Sequence, residues 1–438
     1  MSLFGAMYTA VSGLTSESAE FTNISNNVAN SQTVGYKGVD TNFHDYLTTS
    51  TPETNDSSAV VATPSYTNTV QGTITQTTDP LNLAISGQGF FAVSDSTGST
   101  NGTTTFSPEQ YYTQAGDFSL NADGYLVNSE GYYLDGWSVD PTTGAVDQNN
   151  LTPIQVSQNA YAPVPTSDID LAANLPATPS SSAPITSDVD VYDALGNEQA
   201  VELTWTQTGT DTWTVDLTAA NATNGPDLGT ATVTFGSASG NGAAAGTVGS
   251  VSVDAADPGT LTTSTYAADT PATISFTANF GSGNQTISLN LGDYGASNGL
   301  TQYAGTSYTL NNLSQNGVPA GSFSSVSIGT NGNVVINYTN GESQTIAQVP
   351  VVTFNAADAL QSQDGQAYTA TQASGDAIVN SAGNGGSGTL VTSAVEDSNV
   401  DISTEFSQLI VAQEAYSANT KTISTADQMV QSLLNIIQ

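Results

Sequence analysis

Through the first 30 residues, apolar side chains recur in a three-four alternation at Phe4, Met7, Val11, Leu14, Phe21 and Val28, with Ser18 and Ser25 in the remaining places. On a backbone that turns every 3.6 residues, this spacing gathers one apolar stripe on one helix face. The other end repeats the pattern. Ile402, Phe406, Leu409, Tyr416, Ile423, Val430, Leu434 and Ile437 follow the same alternation, interrupted at Gln413, Thr420 and Asp427. Asp401 is placed to cap this second helix, and Glu405 sits in the first turn, where the helix dipole favours an acid. A helix over 401–437 would be roughly 55 Å long. A lone amphipathic helix is marginal in water, so each stripe needs a partner. The 3.5-residue repeat allows that partner to be the other terminal helix or a neighbouring chain. A plain helix pair capping one domain is the alternative reading of this pattern.

Between the helices the period changes to two and tight turns appear. Leu81, Leu83 and Ile85 alternate, Gly87-Gln-Gly89 breaks the run, and Phe90 to Val93 resumes it. Phe118 to Leu120 and Tyr125 to Val127 flank the turn Asn121-Ala-Asp123-Gly124 and predict a hairpin. Ser325 to Ile328, Asn333 to Tyr338 and Gln344 to Phe354 are separated by Asn331-Gly332 and Asn340-Gly341, favoured two-residue hairpin turns. A proline-containing stretch from Pro163 to Pro184 marks a border. Beyond it Val201, Leu203, Trp205, Trp213 and Val215 supply the apolar face of another meander. Gly236 to Thr270 predicts long loops with weak strands, and Asp376 to Thr392, with Gly383 to Gly388 inside it, a flexible connection into the last helix.

Composition narrows the partners. The chain of 438 residues carries 39 acidic side chains against two basic ones, Lys37 and Lys421, for a formal charge of −37. Nucleic acid and anionic membranes are thereby excluded as partners, because both are bound through Lys and Arg. Cysteine is absent, which removes disulfides and thiolate metal sites. The start, Met1 to Met7, lacks the basic and apolar regions of a cleaved secretory signal, and no apolar run is long enough to span a bilayer.

Candidate chemistry is thin. Gly87-Gln-Gly89-Phe-Phe-Ala92 matches a dinucleotide fingerprint in form, but that motif must open a helix, and Phe90 to Val93 has strand character. Any triad or imidazole metal site would have to use His44, the only histidine. Asp188, Asp190 and Asp193 could ligate calcium, yet they alternate with Val189 and Val191 as the wet side of a strand does. No catalytic residue, cofactor site or metal site is assigned.

The residues after the first helix, Ala29-Asn30-Ser-Gln-Thr33-Val-Gly35-Tyr36-Lys37, resemble the ANxxTxGYK signature of flagellar rod and hook proteins. The end segment Ser398 to Asp401, Ile410 to Gln413, Tyr416, Asn419 and Met429 is similar to the same family. So are Leu83 to Phe91, Tyr112 to Gly116 with Gly124 to Asn128, and Val191 to Asn197, in the family's order. Length and the insert bearing Val191 to Asn197 resemble the hook member more than the shorter distal rod protein, which stays as the alternative. The resemblance implies a mainly β protein with terminal α-helices in a nested architecture. Paired terminal helices (1–30 and 396–438) would form an inner tube. A connecting region (31–70 and 366–395), a split β-domain (71–162 and 301–365) and an inserted outer β-domain (163–300) would complete it. It further implies a structural homopolymer and not an enzyme: a flexible joint transmitting motor torque, outside the cell, exported by the flagellar type III apparatus without a cleaved signal. Distal rod, hook cap and hook-filament junction proteins would be its further partners.

In one respect the sequence departs from that family. Glu414 stands where relatives often carry arginine, contributing to the scarcity of cations. Close-stacked subunits of such charge repel at neutral pH, which suggests adaptation to acidic or saline surroundings. Trypsin has two sites only, after Lys37 and Lys421, so loose ends predict a resistant fragment of residues 38–421.

Overall fold

A computed structural model describes residues 3–50, 55–100, 103–254 and 261–437. The side chains of Phe4, Leu434 and Ile437 lie outside the described residues. The elements form two compact units. One comprises Met1–Gln158, Ser324–Asn337 and Ser343–Gln438, and the other Asn159–Phe323 with Tyr338–Glu342.

The first unit holds both helices, α1 (Leu3–Ala29) and α2 (Ile402–Ile437). Asp401 caps α2 as its sequence position predicts: its Oδ1 accepts the backbone N–H of Ser403 at 2.8 Å and of Thr404 at 3.2 Å. After α1 the chain makes a long antiparallel hairpin, β1 (Val39–Ser50) and β2 (Asn55–Tyr66), in which Val39 pairs with Tyr66 and Phe43 with Ala62. The resemblance implies a connecting region over 31–70, and the sequence pattern points out no hairpin within it. The alternation there is hidden because the hairpin is largely exposed, with Phe43 and Tyr46 reaching solvent, so no continuous apolar face marks it.

The rest of this unit is antiparallel sheet. Its main path runs Phe323–Ile328, Asn333–Tyr338, Ser343–Gln348, Tyr133–Ser138, Phe91–Ser94, Tyr111–Thr113, Ala367–Thr369 and Gln361–Ser362. The Asn331-Gly332 and Asn340-Gly341 turns have the positive glycine φ that tight hairpins need, +84° and +88°. Phe90, Tyr112, Phe354 and Tyr368 stack edge to face under the sheet.

One segment departs from expectation. Residues 376–392, predicted as a flexible connection, form strands Ile378–Ser381 and Thr389–Thr392, paired with Pro350–Thr353 and Leu83–Ser86. The glycines serve the turn between them, and Leu390 is buried at 3% exposure. Short strands stabilised wholly by distant partners carry little local pattern.

The second unit is a sandwich of two five-stranded sheets. One is the meander Ile185–Tyr192, Glu198–Gly209, Thr212–Thr218, Asp227–Phe235 and Val248–Val253. The other orders Thr262–Thr263, Pro271–Asn279, Asn284–Asp293, Asp168–Asn174 and Thr309–Gln315, with one parallel pairing at Ile169 and Leu289. Leu203, Trp205, Trp213 and Val215 share one core with Ile169, Ile274, Phe276 and Leu289. Val189 and Val191 point into that core while Asp188 and Asp190 face solvent, the wet-face alternation read from the sequence; Asp193 departs from that reading, being 1% exposed just past the strand, where its Oδ1 accepts the N–H groups of Leu195 at 2.8 Å and Asn197 at 2.9 Å and shapes the turn.

Candidate functional site

The helices α1 and α2 pack antiparallel, and small or polar residues line the seam. A Cβ placed on Gly13 would come within 2.8 Å of the Asn419 amide, so the glycine leaves room for that side chain in the seam. Phe21 meets Tyr416 edge to face at 6.2 Å. Farther along, the Asn27 amide donates to Glu405 Oε1 at 2.9 Å. On α2 the buried positions are Glu405, Ala412 and Ala426, with half-buried Asn419 completing a strict seven-residue spacing. This line runs beside the apolar stripe and not along it. Glu405, expected to face the helix dipole, is turned inward and is 6% exposed.

The stripe residues therefore sit on the flanks of the seam. Met7, Leu14, Phe21 and Val28 on α1 and Leu409, Ile423 and Val430 on α2 are half-buried. Val11, Ile402, Phe406 and Tyr416 are 49%, 42%, 52% and 42% exposed. Tyr8, Ile410, Val411 and Met429 add further exposed apolar surface on the same two helices.

Polar residues of α1 hold the β1–β2 hairpin. Ser16 Oγ donates to the Val60 carbonyl at 3.0 Å, Ser12 Oγ accepts the Val60 N–H at 3.1 Å, and the Asn23 amide donates to Thr41 Oγ1 at 2.8 Å. Asn27 anchors the start of β1 twice, through Val39 N–H at 2.9 Å and Val39 C=O at 3.1 Å.

The signature segment is locked below the helices. Ala29 is exposed, Asn30 and Thr33 shape the turn through Thr33 Oγ1 on Asn30 Oδ1 at 3.2 Å, and Tyr36 donates to Asn27 Oδ1 at 3.2 Å. Gly35 takes φ +70°, and a Cβ there would lie 2.5 Å from the Ala115 nitrogen, so no other residue fits. Lys37 is buried. Its Nζ lies 2.5 Å from Glu396 Oε1 and donates to the Val70 carbonyl at 2.8 Å. Burial pushes the Lys37 ammonium below its ordinary pKa, and the Glu396 charge works against that fall. Glu396 Oε1 also accepts the Gly72 N–H at 2.7 Å, and the Glu396 carbonyl accepts the Gly35 N–H at 2.8 Å. Asn399 completes the lock, accepting Gly38 N–H at 2.8 Å and donating to Thr67 Oγ1 at 3.0 Å. The expectation of a trypsin cut at Lys37 is thus corrected: the side chain is engaged and buried, and Lys421 alone is exposed.

Sequence reasoning missed Asn27, Glu396 and Glu405 as a buried group; Asn399 lies in the Ser398 to Asp401 segment it singled out, but without this bonding role. The seven-residue spacing of 405, 412, 419 and 426 was the available signal, but it mixes small and polar residues. Among the described residues no group of three or more metal-ligating side chains gathers, and no helix is long and apolar enough to cross a membrane.

Four family models match in order along the chain: "Flagella basal body rod protein" at 7–37, "Flagellar hook protein FlgE/F/G D1 domain" at 84–164, "Flagellar basal body protein FlaE D2 domain" at 159–318, and "Flagellar basal body rod FlgEFG protein C-terminal" at 391–436. The Flagellar hook protein FlgE of Brucella abortus is 30% identical over 441 residues, covering 100% of both chains. The chain belongs to the flagellar hook protein family. The hook protein of Salmonella typhimurium is 31% identical over 445 residues, covering 98% of each chain. A solved structure of the Helicobacter pylori hook protein FlgE2 aligns with TM-score 0.47 and 14% identity, over 72% of this chain and 98% of that one. The full-length relatives, together with the match across the inserted unit, favour a hook subunit over a distal rod protein. The family is structural, an axial component of the flagellum.

Proposed function

We propose that this hook-family chain polymerises with itself through the exposed apolar flanks of the α1–α2 pair, which stack side by side as the inner wall of a tube. The observation that carries this is the exposure of Val11, Phe406, Ile410 and Val411 at 49%, 52%, 56% and 66% on a chain of charge −37. Large apolar side chains gathered on one helix pair mark an association surface, and on so anionic a chain the attraction between two copies has to come from apolar contact. Burying each such side chain contributes about 1.5–3 kcal/mol before ordering entropy. Distal rod, cap, junction protein and export apparatus are its proposed partners at assembly.

Deletion of the gene with electron microscopy of the envelope tests the reading. Basal bodies retained without hook or filament support it; normal hooks in the deletion strain overturn it.

A further inference from the structure

We propose that the α1–α2 seam is a proton-operated clasp: the carboxyls of Glu405 and Glu20 take up protons as the helices close, so acid holds the pair shut and alkali loosens it. Its consequence for assembly rests on the hook-subunit reading, whereas the clasp itself is a property of the single chain.

Glu405 is 6% exposed, at the first turn of α2. Its Oε1 takes the Asn27 amide, but its Oε2 is buried with no hydrogen-bond partner. A charged carboxylate leaves that oxygen uncompensated, while the neutral acid does not. The groups facing it are Asn27 of α1, Tyr36, and Asp40 at the start of β1, none of them a cation. Glu20 lies seven residues from both Gly13 and Asn27, on the same face of α1 that meets α2. One turn before it stands Glu17, whose Oε2 is likewise buried without a partner. Two carboxyls so placed ionise together only at a cost. Glu414, Lys421 and Asp427 of α2 and His44 and Asp45 of β1 are exposed. Among the described residues the one ion pair is Lys37 with Glu396, so the buried cation is committed elsewhere.

Burial, then the hydrogen bond and charge of Glu17, push Glu20 from 4.5 up to about 7. Burial first, with Asp40 adding to it, also raises Glu405. Groups whose pKa is raised on closure hold their protons more tightly in the closed pair. The stabilisation from Glu20 is complete below the ordinary carboxylate value of 4.5 and is lost as pH rises through about 7, and that from Glu405 is lost in the same direction, as pH rises above its ordinary range.

Because the chain has no cysteine, dyes attached to the exposed positions of S18C and S417C in the full-length protein report closure by energy transfer. Between pH 5 and 8 the open population should rise about tenfold or more. The E20Q/E405Q variant should remain closed at both pH values. E20Q alone, which leaves the Asn27–Glu405 bond intact, should flatten part of the response. A wild-type signal that does not change with pH overturns the clasp, and so does an E20Q response identical to wild type, whatever E405Q does to the seam. Whether the same chain polymerises is read separately by sedimentation; failure there with a working clasp would count against the hook-subunit reading only.

Discussion

Lys37 and Glu396, 2.5 Å apart with side chains 1% and 2% exposed, join the segment after the first helix to the segment before the last. Because both groups have left water, breaking the pair strands a buried charge. K37M should lower unfolding stability by about 3–5 kcal/mol, read by urea denaturation. E396Q strands the Lys37 ammonium in its turn and should also destabilise, whereas K37M/E396Q, which leaves no buried charge, should recover part of the loss. A double variant whose loss is the full sum of the two single losses would show that the ion pair is not the source.

The same burial sets a proteolysis order. Native monomer treated with trypsin should be cut first after Lys421, giving residues 1–421 by mass. Cleavage after Lys37 should follow only with unfolding in urea. A fragment beginning at residue 38 that appears as fast as the first product would contradict the lock.

Gly35 presses against the Ala115 backbone with φ +70°. Alanine there meets both a forbidden conformation and a clash, so G35A should destabilise by at least about 1–3 kcal/mol. Thermal unfolding of the purified chain checks this, and an unchanged Tm would show that the turn relaxes freely.

Asp135 is a buried acid in the main sheet, accepting Ser94 Oγ at 3.0 and 2.9 Å and the Gln110 amide at 2.7 Å. Burial pushes it from 3.8 up to about 6, against the pull of those hydrogen bonds. The folded chain therefore binds this proton more tightly than the unfolded one, and stability falls as pH rises from about 4 to 6. D135N should be more stable than wild type by about 3 kcal/mol at pH 8 and equal to it at pH 3.5, measured by denaturation at both. A constant difference would rule out titration of Asp135 as the cause.

Phe406 and Val411 are exposed on α2, so F406D and V411D should leave the monomer Tm within about 1 °C while abolishing sedimentable polymer. Loss of monomer fold would instead place these side chains in the seam.

The sequence alone determined the two terminal helices, the strand character between them and the signature from Ala29 to Lys37. Local period and turn chemistry act over a few residues and need no partner to be seen. Tertiary structure decided which face of each helix is buried. The apolar stripe dominates the pattern, yet Ala412 and Ala426 are the buried small residues of α2, Gly13 makes room for Asn419, and Asn27 with Glu405 fixes the register. It also decided that Lys37 is buried and that residues 376–392 are strands. Each of these depends on a partner hundreds of residues away, Glu396 for Lys37 and Leu83 to Ser86 for Thr389 to Thr392, and no window along the chain contains both sides of such a contact.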